Sequence, residues 1–133
     1  MPNIYFTFNE ANNLIPWLNQ VFDSIEPLQL KIQKLSMEIR TLRQSVYSNG
    51  GSNKVNEIVN RESVIAATSK IIEAQVKEIQ ESGIIVRNIL QGLVDFPYIL
   101  EKREVYLCWI RGETQIGFFH ETNTGYADRQ SLI

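Results

Sequence analysis

Cysteine and histidine are almost absent from this sequence, which has one of each, Cys108 and His120, in 133 residues. A single cysteine excludes an internal disulfide and predicts that there is no cysteine-based zinc site within one chain. A lone histidine with no second histidine or cysteine as partner also makes a poor transition-metal site. The sequence contains no glycine-rich phosphate loop, zinc-ligand spacing or nucleophile elbow. We therefore predict no metal and no cofactor, and the composition identifies no reaction.

Long apolar runs and an excess of basic residues are missing as well. No run approaches the roughly 20 apolar residues of a membrane span. The segment MPNIYFTFNEANN lacks the basic start and the apolar core of a signal peptide. The net charge is −2, whereas non-specific nucleic-acid binding depends on an excess of Lys and Arg. We expect a cytoplasmic protein with no membrane segment, and the lone thiol suits a reducing cytosol.

An apolar heptad pattern dominates the first half of the chain. Apolar residues from Leu14 to Val46 are spaced alternately by four and three, which predicts a coiled-coil-like helix over residues 8–47. TFNE at residues 7–10 fits a capping box at its start. Pro16 lies too far into the predicted helix for a first-turn proline, so it predicts a kink or a restart near Asn12–Asn13. Pro27 predicts a kink, and the unchanged heptad phase across Pro27 predicts that the helix continues.

A second helix is predicted over residues 54–82, where isoleucines recur every seven residues from Ile58 to Ile79. YSNGGSN, residues 47–53, predicts a flexible turn, and Gly83 is placed to end the second helix as a left-handed cap. Because the connection is short, the two helices should lie antiparallel.

The first helix is too long to be buried by its own chain. It would measure roughly 57 Å at 1.5 Å per residue, whereas a compact chain of this length is roughly 36 Å across. We therefore expect a homodimer or higher homo-oligomer formed through the helices, with a four-helix bundle as the simplest arrangement. The candidate interface residues on the seam are Leu28, Ile32, Leu35, Ile39 and Leu42.

After Gly83 the apolar period changes from seven to two. Residues 84–90, 92–99, 104–110 and 114–120 read as strands, and residues 122–133 as an arm or loop. Pro97 must lie at an edge or end its strand. The predicted fold is thus α+β: a long helical hairpin followed by a three- or four-stranded antiparallel sheet, in one domain over residues 1–133.

The segment REVYLCWIRGETQIGFFH, residues 103–120, predicts a hairpin with a tight turn near Gly112. A two-residue turn there would put Leu107 and Trp109 on one face with Phe118 and His120, and Cys108 on the other face. Both faces carry bulky apolar residues, so we expect one face to pack on the helices and the other on the tail or a neighbouring chain.

Five charged or titratable residues are candidates for a ligand site at the sheet edge, and they are Asp95, Arg111, Glu113, His120 and Arg129. The opposite faces make a Cys108–His120 catalytic dyad implausible, so Cys108 reads as a packed core thiol. Trp17 and Trp109 read as core residues, because no basic groove surrounds them.

Three strings resemble a known bacterial family. GIIVRNILQGLVDFP, EVYLCWIRGETQIGFFH and FTFNEANNLIPWL are similar, in matching order, to the family catalogued as domain of unknown function 2203. The resemblance covers nearly the whole chain and implies a small protein with a coiled-coil-like first half. The family has no established activity, so the likeness supplies no catalytic residue. It marks four positions for testing, which are Asp95, Trp109, Glu113 and His120.

Three hypotheses for function follow from the sequence. The first is a non-enzymatic interaction or scaffold module that homodimerises through its helical hairpin. The second is a small enzyme or ligand-binding protein with a site around Asp95, Glu113 and His120. A third and weaker alternative is nucleic-acid binding along the mildly basic flank from Lys31 to Arg43. No substrate, and no partner other than a second copy, can be named.

Overall fold

A computed structural model describes residues 4–49 and 52–132. The chain divides into two compact units. The sheet unit comprises Met1–Asp23 and Val76–Ile133, and the hairpin unit comprises Ser24–Gln75. The helices are α1 (Phe8–Asn13), α2 (Ile15–Asn49) and α3 (Ser52–Glu81), and the strands are β1 (Ile85–Asn88), β2 (Leu93–Leu100), β3 (Arg103–Ile110), β4 (Phe118–Glu121) and β5 (Gln130–Ser131), with a 3₁₀ turn at Tyr126–Asp128. No described helix is both long and apolar enough to cross a membrane.

The start of the helical region follows the predicted capping box. The Thr7 hydroxyl accepts from the Glu10 N–H at 3.1 Å, and the Glu10 carboxylate accepts from the Thr7 N–H at 2.8 Å. Helix α1 ends at Asn13, and Pro16 then occupies the first turn of α2, where a missing N–H removes no helical bond. Helix α2 continues through Pro27, as the heptad phase predicted.

In the hairpin unit, side-chain pairs align the two helices. Arg61 Nε donates to Glu38 Oε1 at 2.9 Å, and Gln75 Nε2 donates to Ser24 Oγ at 2.9 Å. Pairs that lie further along α3 involve residues that lie earlier on α2: Arg61 meets Glu38, and Gln75 meets Ser24. The two helices are therefore antiparallel, as predicted. Helix α2 ends at Asn49, later than predicted, and α3 begins at Ser52, earlier than predicted. Gly50 and Gly51 of the predicted turn lie outside the described residues.

The heptad seam is unevenly buried. Ile39 is 6% exposed, whereas the other four candidate interface residues, Leu28, Ile32, Leu35 and Leu42, are half-buried. Leu30 and Met37, at outer heptad positions, are 59% and 63% exposed. Packing within the chain therefore covers the seam only in part.

The sheet is antiparallel throughout, with its strands in chain order from β1 to β5. It has five strands instead of the predicted three or four, because Gln130–Ser131 of the predicted tail pairs with Phe118–Phe119. The α+β prediction is confirmed. Strand β1 pairs only with residues 93–95 of β2, so Pro97 lies on the free part of that edge, where its carbonyl accepts from the Phe6 N–H at 2.9 Å.

The register of β3 and β4 corrects the predicted faces. Tyr106 lies opposite His120, and Leu107 lies opposite Phe119. His120 therefore shares a face with Cys108 and not with Leu107, because directly opposed residues point to the same side and the side-chain period is two. The predicted turn at Gly112 was too short: residues 111–117 form an irregular loop, and this shifts the register by an odd number of residues.

The two faces of the sheet differ in chemistry. One face is apolar and buried, with Phe22 of α2 against Trp109 at 6.4 Å between ring centroids, and its residues are Val94, Phe96, Val105, Leu107, Trp109 and Phe119. The opposite face carries Asp95, Tyr106, Cys108, Phe118 and His120. Part of this second face is covered by the tail, since the Arg129 guanidinium lies 4.0 Å from the centroid of the Phe118 ring.

Candidate functional site

A buried polar pair spans strand β3. Asp95 on β2 is paired with Cys108, and His120 on β4 is paired with Tyr106, so both side chains rise from the same face. His120 reaches across β3, and its Nε2 lies 3.0 Å from Asp95 Oδ2. Each side chain is 2% exposed. The sequence named both residues as candidates, but the pair lies on the face of the sheet and not at its edge.

The hydrogen bonds of His120 fix the orientation of its ring. Nδ1 lies 2.9 Å from the main-chain carbonyl of Glu121, and a carbonyl can only accept. Nδ1 therefore carries a proton, and Nε2 faces Asp95. Both nitrogens of His120 are thus engaged inside the protein.

Arg87 completes the pair at its outer side. Its Nε donates to Asp95 Oδ2 at 2.8 Å, and its guanidinium lies 5.1 Å from the centroid of the Tyr106 ring. The side chain is 43% exposed. Asp95 Oδ2 therefore accepts from Arg87 and contacts His120, whereas Asp95 Oδ1 is buried and has no hydrogen-bond partner among the described residues.

Cys108 lies next to this pair. One ligand atom from each of Asp95, Cys108 and His120 falls within 4.8 Å of the others, and all three residues are buried. Burial, with the charge of Asp95 as a second cause, raises the pKa of the Cys108 thiol to about 11, although a hydrogen bond from Arg129 acts in the opposite direction. The predicted register put Cys108 and His120 on opposite faces of the sheet, whereas in the structure they are neighbours on the same face.

Glu113 and Arg129 form a second polar group, joined to the first through Cys108. Arg129 donates to both oxygens of the Glu113 carboxylate, at 3.2 and 2.9 Å. Glu113 also accepts from the Ile110 N–H at 3.0 Å, and its main-chain carbonyl accepts from Trp109 Nε1 at 2.9 Å. These contacts hold the irregular loop against β3, so Glu113 stabilises the fold and does not reach the Asp95–His120 pair.

A cavity of about 380 Å³ adjoins the Asp95–His120 pair. Its wall includes Arg87 and the loop that follows β4, and its lining residues are Arg87, Leu93, Asp95, His120, Thr122, Asn123, Thr124, Gly125 and Tyr126. The volume lies within the range of small-molecule sites in proteins. We call this space the Arg87 cavity.

The sequence identified part of this site. Arg111 does not belong to it, because its guanidinium pairs with Asp23 of α2. Arg87, Tyr106 and the loop over residues 122–126 were missed as site residues. Cys108 is fully buried, as predicted, and lies next to the Asp95–His120 pair. A basic residue on the neighbouring strand was the signal that the sequence offered. Ile85 of β1 pairs with Asp95, and Arg87 follows two residues later on the same strand.

Comparison with known proteins agrees with the strings noted in the sequence. A search of curated proteins finds no match, and a search of solved structures finds none either. The family model described as "Uncharacterized conserved protein (DUF2203)" matches residues 4–132. Since this match covers nearly the whole chain, the protein belongs to the DUF2203 family.

Proposed function

We propose that the protein binds a small anionic molecule, carrying a carboxylate or phosphate group, in the Arg87 cavity. The observation that carries this proposal is the state of Arg87. Asp95 accepts from its Nε, whereas no described residue accepts from Nη1 or Nη2, and the side chain is half-exposed at the cavity. The outer end of the guanidinium is therefore available to a ligand.

The surroundings of Arg87 favour recognition of an oxyanion. The guanidinium is a planar fork that matches a carboxylate or a phosphate with two parallel hydrogen bonds. Asp95 and the Tyr106 ring restrict its orientation before any ligand arrives. Such restriction lowers the entropy that binding has to remove. Thr122 and Asn123 in the cavity wall offer polar groups to the rest of the ligand.

The geometry favours binding over acid–base catalysis. A general base needs a nitrogen or oxygen within hydrogen-bond reach of the substrate. Both His120 nitrogens are occupied, by Glu121 and by Asp95, and Asp95 Oδ1 is buried. The pair therefore supports Arg87 and shapes the floor of the cavity.

Chemical-shift perturbation with small anions tests this function. We expect inorganic phosphate, pyruvate or benzoate to shift amide resonances of residues 122–126, and neutral analogues of the same size to leave them unchanged. Arg87→Gln should weaken binding at least about tenfold, the effect of roughly 1.4 kcal/mol from a lost charged hydrogen bond. Arg103→Gln is the matched control, since Arg103 lies on the same sheet and pairs with Glu121. Equal binding by Arg87→Gln, or no shift with any anion, would contradict the proposal.

A second candidate function is self-association through the hairpin unit. It is supported by the half-buried state of Leu28, Ile32, Leu35 and Leu42, which leaves apolar surface for a second copy to cover. Two double variants compare the seam with the outer face of α2, with light scattering as the readout and circular dichroism as the check on folding. Ile32→Asn with Leu35→Asn should convert a dimer into a folded monomer, whereas Leu30→Asn with Met37→Asn should not. A monomeric wild type, or loss of the dimer only in the outer pair, would exclude this interface.

A further inference from the structure

We infer that Asp95, Cys108 and His120 form a site for one divalent transition-metal ion of the Zn²⁺, Fe²⁺ or Co²⁺ type. The inference goes beyond anion binding and does not depend on it. One oxygen, one sulfur and one nitrogen from these buried side chains lie within 4.8 Å of one another. No other group of three or more His, Cys, Asp and Glu side chains with this geometry occurs in residues 4–49 and 52–132.

An unsatisfied atom marks this cluster as incomplete. Asp95 is 2% exposed, yet its Oδ1 accepts no hydrogen bond from any described residue. A buried carboxylate oxygen without a partner costs free energy. A metal ion bound to Asp95 would remove that cost. The alternative is a buried water on Oδ1, and the experiment below distinguishes the two.

The orientation of His120 is that of a metal ligand. Ligating histidines usually donate the N–H of one ring nitrogen to a carbonyl or carboxylate, which leaves the other nitrogen for the metal. Here Nδ1 donates to the Glu121 carbonyl at 2.9 Å, and an ion bound to Nε2 would replace the present contact between Nε2 and Asp95 Oδ2.

The donor set defines the class of ion. Thiolate and imidazole favour Zn²⁺ and similar ions over Mg²⁺ and Ca²⁺, which prefer oxygen alone. Three protein ligands leave a fourth position open in a tetrahedral site. Asp95 and His120 also line the Arg87 cavity, so that space lies next to two of the three ligands. The cysteine count alone predicted no metal site, and this inference departs from that prediction.

Charge is conserved when the ion binds. A metal-bound cysteine is a thiolate, so binding of a divalent ion releases the proton of the Cys108 thiol. The thiolate and the carboxylate then balance the two charges of the ion. Arg87 and Arg129 keep their partners in Asp95 and Glu113.

Cobalt spectroscopy on protein without a histidine tag tests the site. His120 is the only histidine and Cys108 the only cysteine of the 133-residue sequence, so the signals can be assigned without variants. We expect one equivalent of Co²⁺ to bind, with a sulfur-to-cobalt charge-transfer band and visible bands of four-coordinate intensity. Zn²⁺ should displace the Co²⁺ and raise the Tm. Metal analysis of protein purified without chelator should find one bound ion per chain.

Variants then assign the ligands. Cys108→Ser should abolish the charge-transfer band, and Asp95→Asn and His120→Gln should weaken binding by more than the roughly 10–100-fold typical of a lost outer-sphere partner. Glu121→Gln is the matched control, since Glu121 follows His120 but its carboxylate pairs with Arg103. Circular dichroism confirms that each variant is folded. Should a variant fail to fold, the charge-transfer band of the wild type still identifies Cys108 as a ligand.

Two results would overturn the inference. The first is the absence of the charge-transfer band or of stoichiometric binding in the wild type, which would leave a buried water as the partner of Asp95 Oδ1. The second is unchanged affinity in folded Asp95→Asn or His120→Gln, which would remove that residue from the site. Anion binding that needs Arg87 is measured separately, so either proposal can fail without the other.

Discussion

Arg129 and Glu113 are joined by two parallel hydrogen bonds, Nη1 to Oε1 at 3.2 Å and Nη2 to Oε2 at 2.9 Å. Their side chains are 16% and 22% exposed. The pair ties the C-terminal tail to the loop between β3 and β4. The Arg129 guanidinium also lies over the Phe118 ring. Both the charged group and the apolar stem of Arg129 therefore help to cover the face of the sheet that carries Cys108 and His120.

Removal of Arg129 should therefore destabilise the fold. We expect Arg129→Ala to lower the free energy of unfolding by about 2–3 kcal/mol, because Glu113 is left as a largely buried charge without its partner. Guanidinium denaturation measures this. The matched control is Arg103→Ala, which removes an equally bidentate but more exposed pair with Glu121 and should change stability much less. Equal losses in the two variants would mean that burial does not strengthen the Arg129 pair.

The Cys108 thiol should be unreactive in the native, metal-free protein. The side chain is fully buried, and burial raises its pKa to about 11, so little thiolate is present near neutral pH. With chelator present, an aromatic disulfide reagent should react with one thiol per chain in guanidinium and much more slowly without it. Reaction of the native protein at the unfolded rate would show that the face carrying Cys108 opens readily.

Alanine should be tolerated at Gly117 but not at Gly92. Gly92 has φ +67°, and an added Cβ would lie 2.7 Å from Arg111 Cβ. We expect Gly92→Ala to cost at least about 2 kcal/mol, from the left-handed backbone and from the clash. Gly117 has no atom within 4 Å of an added Cβ, and Gly117→Ala should be neutral or stabilise by up to about 1 kcal/mol. Thermal unfolding compares the two variants, and a similar Tm for both would contradict this reading of the turn.

The capping box should contribute measurably to the start of α1. Thr7→Ala removes the hydroxyl that accepts from the Glu10 N–H and should cost about 1 kcal/mol. Hydrogen bonds from Thr7, first from its backbone N–H, also hold the pKa of the Glu10 carboxyl below its ordinary value. Thr41→Ala is the control: Thr41 lies within α2, and alanine there should stabilise by roughly 0.5 kcal/mol. Chemical denaturation should therefore give opposite signs for the two threonines.

Local patterns predicted the helices well. The capping box, the continuation through Pro27 and the glycine cap depend on residues close in sequence, and Gly83 does adopt φ +100° after α3. The heptad phase was reliable because a helix repeats the same geometry over ten turns. Strand β5 was missed because two exposed residues, Gln130 and Ser131, carry no apolar alternation.

The site was harder to predict because it depends on the register between β3 and β4, which decides the face of the sheet on which His120 lies. Asp95 and His120 were named separately, but their meeting across β3 requires the loop over residues 111–117 to be longer than a tight turn. That loop is held by Glu113 and by the Asn12 side chain, which accepts from the Ile116 N–H at 2.8 Å across 104 residues of sequence. Contacts this distant leave no periodic trace, and the same holds for Arg111 with Asp23.

The free part of strand β2 has a consequence for the behaviour of the protein at high concentration. Beyond β1, this edge exposes backbone groups that another chain's strand could pair with, which is how edge-to-edge aggregation begins. The Pro97 carbonyl points away from β3 and accepts from the Phe6 N–H. The N–H and the carbonyl of one residue in an antiparallel strand point to the same side, so a proline here removes an N–H from the outer edge. A short β1, a proline and a crossing N-terminal segment together protect this edge against aggregation.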